Sequence, residues 1–212
     1  MDTVHDLGGV QGFGPIPNTD EDDSRLFAEE WKARIWAIAM MSMGRLRADD
    51  TGWTLDWYRH VLERLPPDLY LRMDYFEKWI LAMMVTAIDE GIAEIGDFRG
   101  DGPVPEPFAY TTATPLIRQA ETPGRFAPGD TIVTRRDLPS MHTRLARYMR
   151  GRRGVIERVI GPQPLPELAA EGTVLREQTY VVRFRMAELW PEAEDNGDSL
   201  VTDMWDSYIE PA

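Results

Sequence analysis

Phe126-Ala-Pro-Gly-Asp130, followed by Thr131-Ile-Val-Thr-Arg-Arg136, is where this chain changes its periodicity. Pro-Gly-Asp supplies turn chemistry, and the β-branched Thr-Ile-Val-Thr behind it suits a pleated strand better than a helix. Further on, residues 154–160, 179–186 and 200–206 repeat the pattern: short runs of β-branched or aromatic residues bounded by Gly, Pro or Asp. Four or five short strands in about 85 residues predict a small β-roll or barrel over 126–212.

Upstream of that point the signal is helical. Six prolines between residues 99 and 128 interrupt every periodic pattern, which places a Pro/Gly-rich linker at 99–125, with one helical turn over 116–121. Residues 23–98 read as a helical domain. Phe27, Trp31, Ile35, Ile38 and Met41 share one face of a first helix, expected to start at 22–24 and stop at Gly44. Thr54 is the N-cap of a second, with Leu55, Tyr58, Leu62 and Leu65 on its apolar stripe and Pro66-Pro67 as its stop. Asp74-Tyr75-Phe76-Glu77 is an Asp-x-x-Glu capping box opening a third, which ends at Gly91. Residues 1–22 form an extended arm, because Gly8, Gly9, Gly12, Gly14, Pro15 and Pro17 forbid a helix. Its regularly spaced Val4, Leu7, Val10, Phe13 and Ile16 need a surface to lie against. The fold class is therefore α+β, with an extended N-terminal arm and helical region followed by a C-terminal β-roll.

Bulk properties remove several function classes. A net charge of −13 and a pI near 4.7 argue against nucleic acid and anionic membranes as partners. With no cysteine among 212 residues, the chain has no disulfide, thiol nucleophile or thiolate metal site of its own. The start, Met-Asp-Thr-Val-His-Asp, lacks the basic and apolar regions of a signal peptide, and the apolar run 79–88 is too short for a membrane span. A cytoplasmic protein is the expectation.

Against this acidic background, residues 140–154 carry Arg144, Arg147, Arg150, Arg152 and Arg153 together with His142. A solvated face, a nucleic-acid patch and a cradle for anions at an interface are the three available readings. All five cations are arginines, and a planar guanidinium fork suits oxyanions held away from water better than an ammonium does. That favours the third. Arg59, at the edge of the second helix's stripe, has an ordinary alternative in an ion pair to Glu63 one turn on.

Several stretches in order resemble the nitrile hydratase β subunit. They are Val4-His5-Asp6-Leu7-Gly8-Gly9 with Gly12-Phe13-Gly14-Pro15, Tyr58-Arg59-His60 leading into Tyr75-Phe76-Glu77, and His142-Thr143-Arg144 through Arg150-Gly151. Residues 126–130, Glu188-Leu189-Trp190 and the ending 205–211 also fit, so the resemblance spans the whole chain. It implies an SH3-like β-roll at the C-terminus and a heterodimer with an α subunit, paired into α2β2. It implies a Co(III) or Fe(III) centre held by cysteines of that α subunit, two of them oxidised, and hydration of nitriles to amides. In this resemblance Arg59 and Arg144 hydrogen-bond the oxidised cysteine oxygens, and Tyr75 faces the substrate. No metal ligand falls on this chain. Two positions depart from the pattern: Phe76 stands where a second tyrosine is common, and Met141 where glycine precedes the histidine. A non-catalytic activator or metallochaperone of the same system, or a subunit of a thiocyanate hydrolase-like enzyme, are the alternatives.

Overall fold

The computed structural model describes residues 27, 29–48, 54–99, 118–119, 123–137, 142–193 and 197–212, in two compact units covering 27–99 and 118–212. The arm at 1–22, Met141 and most of the linker lie outside the described residues.

Helices make up the first unit: α1 (Glu30–Ala48), α2 (Leu55–Glu63), α3 (Pro67–Arg72) and α4 (Tyr75–Asp89). Their ends follow local chemistry. Thr54 Oγ1 accepts the Trp57 N–H at 3.0 Å and caps α2. At α4 the capping box is complete, with Phe76 N–H donating to Asp74 Oδ1 at 2.8 Å and Asp74 N–H donating to Glu77 Oε2 at 2.8 Å. Gly91, at φ +67°, closes α4 in the left-handed region. Its N–H donates to Ile88 O, and the Ile92 N–H reaches back to Ala87 O. Tyr58, Val61 and Ala82 form the buried centre, with Trp57, Leu62 and Trp79 packed against it.

Two expectations differ here. α1 begins at Glu30 instead of 22–24, and it continues through Gly44 to Ala48. A single helical glycine costs only about 1 kcal/mol, less than a helix stop requires when good helix formers follow. Pro66-Pro67 ends α2 as expected, but it also opens α3, because proline at the first helical position has no N–H to leave unpaired.

The second unit is a sheet. β2 (Thr131–Thr134), β3 (Arg153–Pro164), β4 (Leu175–Arg185), β5 (Ser199–Trp205) and β6 (Ile209–Pro211) are antiparallel neighbours in the order β5-β4-β3-β2-β6. β1 (Arg118–Gln119) lies parallel against the start of β4, where one turn of helix was expected, since pairing with Leu175 and Arg176 takes up its backbone groups. β3 shifts register between Ile156 and Arg158 and again between Val159 and Gly161, and such bulges bend a strand and raise its twist. That curvature lets one long strand pair with β2 at its start and follow β4 to Pro164. Short helices α5 (Pro166–Ala169) and α6 (Met186–Leu189) bridge strands. Ile132, Ile156, Tyr180, Phe184, Met204 and Ile209 fill the core, and Leu145 and Met149 of the basic segment enter it too.

Gly154 sits where this core meets the backbone. A Cβ there would lie 2.6 Å from Val182 Cγ1, 2.9 Å from Phe184 Cε1 and 3.1 Å from the Arg183 carbonyl. Gly154→Ala should destabilise the sheet by about 1–3 kcal/mol, read as a lowered denaturant midpoint; an unchanged midpoint would contradict this packing.

Candidate functional site

In the sheet unit the basic segment alternates between burial and exposure. His142, Thr143, Leu145 and Met149 are buried, whereas Arg144 and Arg147 are exposed. The run is therefore not a simple solvated face; apolar side chains fix its backbone and turn chosen arginines outward. Arg144 is held by its main chain. Its N–H donates to Tyr208 Oη at 3.2 Å, the Thr143 hydroxyl donates to the same oxygen at 3.3 Å, and Tyr208 gives its own proton to Glu167 Oε1 at 2.7 Å. Burial, then the nearby Glu167 carboxylate, pushes the Tyr208 phenol well above its usual range, so it stays protonated and donating. The Arg144 guanidinium itself meets no acceptor among the described residues. Arg150 is different, because its guanidinium turns back to the Leu145 carbonyl through Nε and Nη2, both at 3.4 Å.

Tyr208 is placed by a clasp one turn away. Arg125 Nε meets Asp206 Oδ2 at 2.6 Å, its N–H meets Asp206 Oδ1 at 3.0 Å, and Nη2 reaches the carbonyls of Asp206 and Ile209 at 2.6 and 2.7 Å. Tyr180 Oη donates to Asp206 Oδ1 at 2.7 Å. Burial and this carboxylate push the Tyr180 phenol up to about 12. For Asp206 burial pulls upward, but the Arg125 N–H, the Tyr180 hydroxyl and the Arg125 guanidinium outweigh it and hold the carboxyl below its usual value. The 3-10 turn Asp206–Tyr208 is fixed in this way.

In the helical unit Arg59 lies on α2 with its side chain 41% exposed, and it pairs with Asp56 at 3.1 Å, one turn back, in place of the alternative partner Glu63. Asp56 engages Nη1. Tyr75, the first residue of α4, is 61% exposed. Its ring stands edge-on to Phe76 at 5.3 Å and tilted to Trp79 at 5.5 Å, and Trp79 in turn meets Tyr58 edge-on at 6.2 Å. A phenol thus projects from the rim of an aromatic cluster. α1 leaves Trp36, Ile38, Met40 and Met41 exposed, the last 76% open, with Ile38 and Met41 on one side of the helix and Trp36 and Met40 on another.

Arg59 and Tyr75 accordingly belong to one unit and Arg144 to the other. Sequence reasoning did not single out Tyr208, Glu167 or Asp206. Tyr208 and Asp206 sit in the matched ending 205–211, so their positions were visible although their roles were not; Glu167 had no signal. His60 and Glu63 are buried on α2 and His142 is buried in the sheet unit. Within either unit alone, no three His, Asp or Glu side chains among the described residues converge as a metal would require.

Comparison with known proteins follows the same division of the chain. The family described as "Nitrile hydratase beta subunit, N-terminal" matches residues 1–121, and "Nitrile hydratase beta subunit, C-terminal" matches 115–211. The nitrile hydratase subunit beta of Pseudomonas chlororaphis is 31% identical, covering 100% of this chain and 96% of that one. The low-molecular weight cobalt-containing nitrile hydratase subunit beta of Rhodococcus rhodochrous is 32% identical, with 100% of both chains covered. The thiocyanate hydrolase subunit alpha of Thiobacillus thioparus is 36% identical over 92 residues, 42% of this chain and 72% of that one.

The depressed Asp206 carboxyl gives a pH test of the clasp. Its contribution to stability is complete above the unfolded carboxylate value of about 3.9 and is lost as pH falls through the lower folded value. Asp206→Asn should therefore lower the denaturant midpoint at pH 7, and the gap to the native chain should narrow at pH 2.5. A gap independent of pH would contradict the clasp.

Proposed function

The chain belongs to the nitrile hydratase β-subunit family, and from that premise we propose that it acts as the β half of a nitrile hydratase, adding water to nitriles to give amides. The observation that carries this reading is Arg144: an exposed guanidinium on a backbone held by Tyr208, meeting no acceptor among the described residues. A donor fork so prepared fits an oxyanion owned by another polypeptide.

In this reading a Co(III) or Fe(III) centre, held by cysteine ligands of the α subunit, would supply the chemistry, as a Lewis acid toward the nitrile or through an oxidised-cysteine oxygen as nucleophile. This chain, lacking cysteine, supplies the surroundings. Oxidised cysteine ligands carry oxygen anions, and each one buried without a partner would cost several kcal/mol, on the order of 3–5. Arg144 and Arg59 compensate that charge with charge-assisted hydrogen bonds. Arg59 turns Nη1 to Asp56 and offers its remaining donors to the partner. Tyr75 presents its hydroxyl to the substrate from the aromatic rim, and Phe76 beside it contributes packing alone. The exposed apolar side chains of α1 support a subunit partner, in keeping with an αβ heterodimer paired into α2β2. The sheet unit is read as the family's SH3-like roll, and the compartment as cytoplasmic; no helix among the described residues is long and apolar enough to cross a membrane.

A thiocyanate hydrolase-like role fits less well, since that match spans 42% of the chain while the nitrile hydratase β relatives span all of it. An activator or metallochaperone would not form amide in stoichiometric complex with an α subunit, and this separates it from the first reading.

Co-expression with its α subunit should yield a complex that converts a simple nitrile to amide. The chain purified alone should do neither chemistry nor hold stoichiometric cobalt or iron. Arg144→Lys keeps the charge and loses the fork, so turnover of the complex should fall by more than about tenfold, the loss of roughly one strong hydrogen bond. Turnover near that of the native complex would remove Arg144 from the site, and metal bound by the lone chain would contradict the division of labour.

A further inference from the structure

Tyr75 is the first residue of α4, and the first turn of a helix is where fraying begins, because its N–H groups lack intrahelical partners. A side chain projecting from that turn is only as well placed as the cap beneath it. Here the cap is bound from outside. Asp74 uses Oδ1 for the Phe76 N–H, and its second oxygen, Oδ2, receives Lys32 Nζ from α1 at 2.9 Å. Lys32 is 15% exposed, also touches Glu29 Oε1 at 3.3 Å, and lies 5.5 Å from the centre of the Trp31 ring. Its aliphatic stem is thus packed while its ammonium bridges two carboxylates. A second grip from the same side is apolar: Phe27 meets Phe76 at 5.7 Å and Trp36 at 5.8 Å.

Resting on the reading of Tyr75 above, we propose that Lys32 is a positioning residue for Tyr75: by tying Asp74 to α1 it fixes the first turn of α4, and with it the direction of the phenol. The bridge joins residues 42 positions apart and ends on the capping carboxylate itself, so it governs one turn of one helix more than the fold as a whole. An ion pair of this partly exposed kind contributes little to global stability, whereas a misplacement of about 1 Å at a reacting group costs up to about a hundredfold in rate. Loss of Lys32 should therefore reduce activity out of proportion to any loss of stability.

The test uses the chain assembled with its α subunit, in four forms besides the native one: Lys32→Met, Lys32→Arg, Tyr75→Phe and the Lys32→Met/Tyr75→Phe pair. Lys32→Met should lower kcat/KM on the order of tenfold with little change in the thermal midpoint. Lys32→Arg should restore most of it, and the pair should be no worse than the poorer single variant. Amide hydrogen exchange, independent of turnover, should speed up in Lys32→Met at residues 76–78 and remain unchanged at residues 82–86. Losses that multiply in the pair, or exchange that is unaltered at 76–78, would overturn the positioning role. If Tyr75→Phe lowers the rate and Lys32→Met does not, the anchor falls and the reading of Tyr75 stands. If neither lowers it, the reading of Tyr75 falls and takes the anchor with it.

Discussion

The Tyr208 hydroxyl receives hydrogen bonds from the Thr143 side chain and the Arg144 main chain and gives its own to Glu167, and the placement of the basic segment in the sheet unit hangs on that oxygen. Two segments 64 residues apart in sequence meet there. One is the basic run, whose Leu145 and Met149 are sunk in the core; the other is the 3-10 turn before the last strand, clamped by Arg125 and Tyr180 through Asp206. These buried contacts fix the backbone of Arg144 and leave its side chain on the surface. It remains a donor that meets no acceptor among the described residues, which costs little while water solvates it.

The helical unit follows the same logic by other means. There the apolar stripe of α2 and α4 packs inward, while α1 turns Ile38 and Met41 outward and Lys32 toward the α4 cap. Both units thus combine a buried interior with exposed arginine or apolar side chains. Absence of cysteine agrees with this arrangement, in which chemistry anchored on thiolates would come from elsewhere.

What the sequence revealed depended on how local each signal was. The Thr54 cap, the Asp74–Glu77 box and the left-handed Gly91 lie within a few residues of the elements they bound, and each sits where its chemistry predicts. Gly44 as a stop was an overestimate, since a propensity of about 1 kcal/mol is overridden within a long helix. The pairing of β1 with β4 and the opening of α3 by Pro67 depend on tertiary neighbours or on a second use of the same residue. At the candidate site, Arg144 stood out as part of an arginine-only run in an acidic chain, and Arg59 as a stripe-edge cation. Arg59 pairs with Asp56 while Glu63 is buried, and spacing alone does not reveal which of the two carboxylates it meets. Glu167 and Lys32 act across 41 and 42 residues and leave no mark in the sequence pattern.

Which polypeptide provides an acceptor for the Arg144 guanidinium is the deciding question. An experimental map of the chain in complex with its metal-loaded α subunit measures this directly. The expected result is guanidinium nitrogens of Arg144 within about 3 Å of oxygen atoms carried by the other polypeptide's oxidised cysteines. A guanidinium directed into bulk solvent, away from any such oxygen, would contradict it even if both units kept their folds.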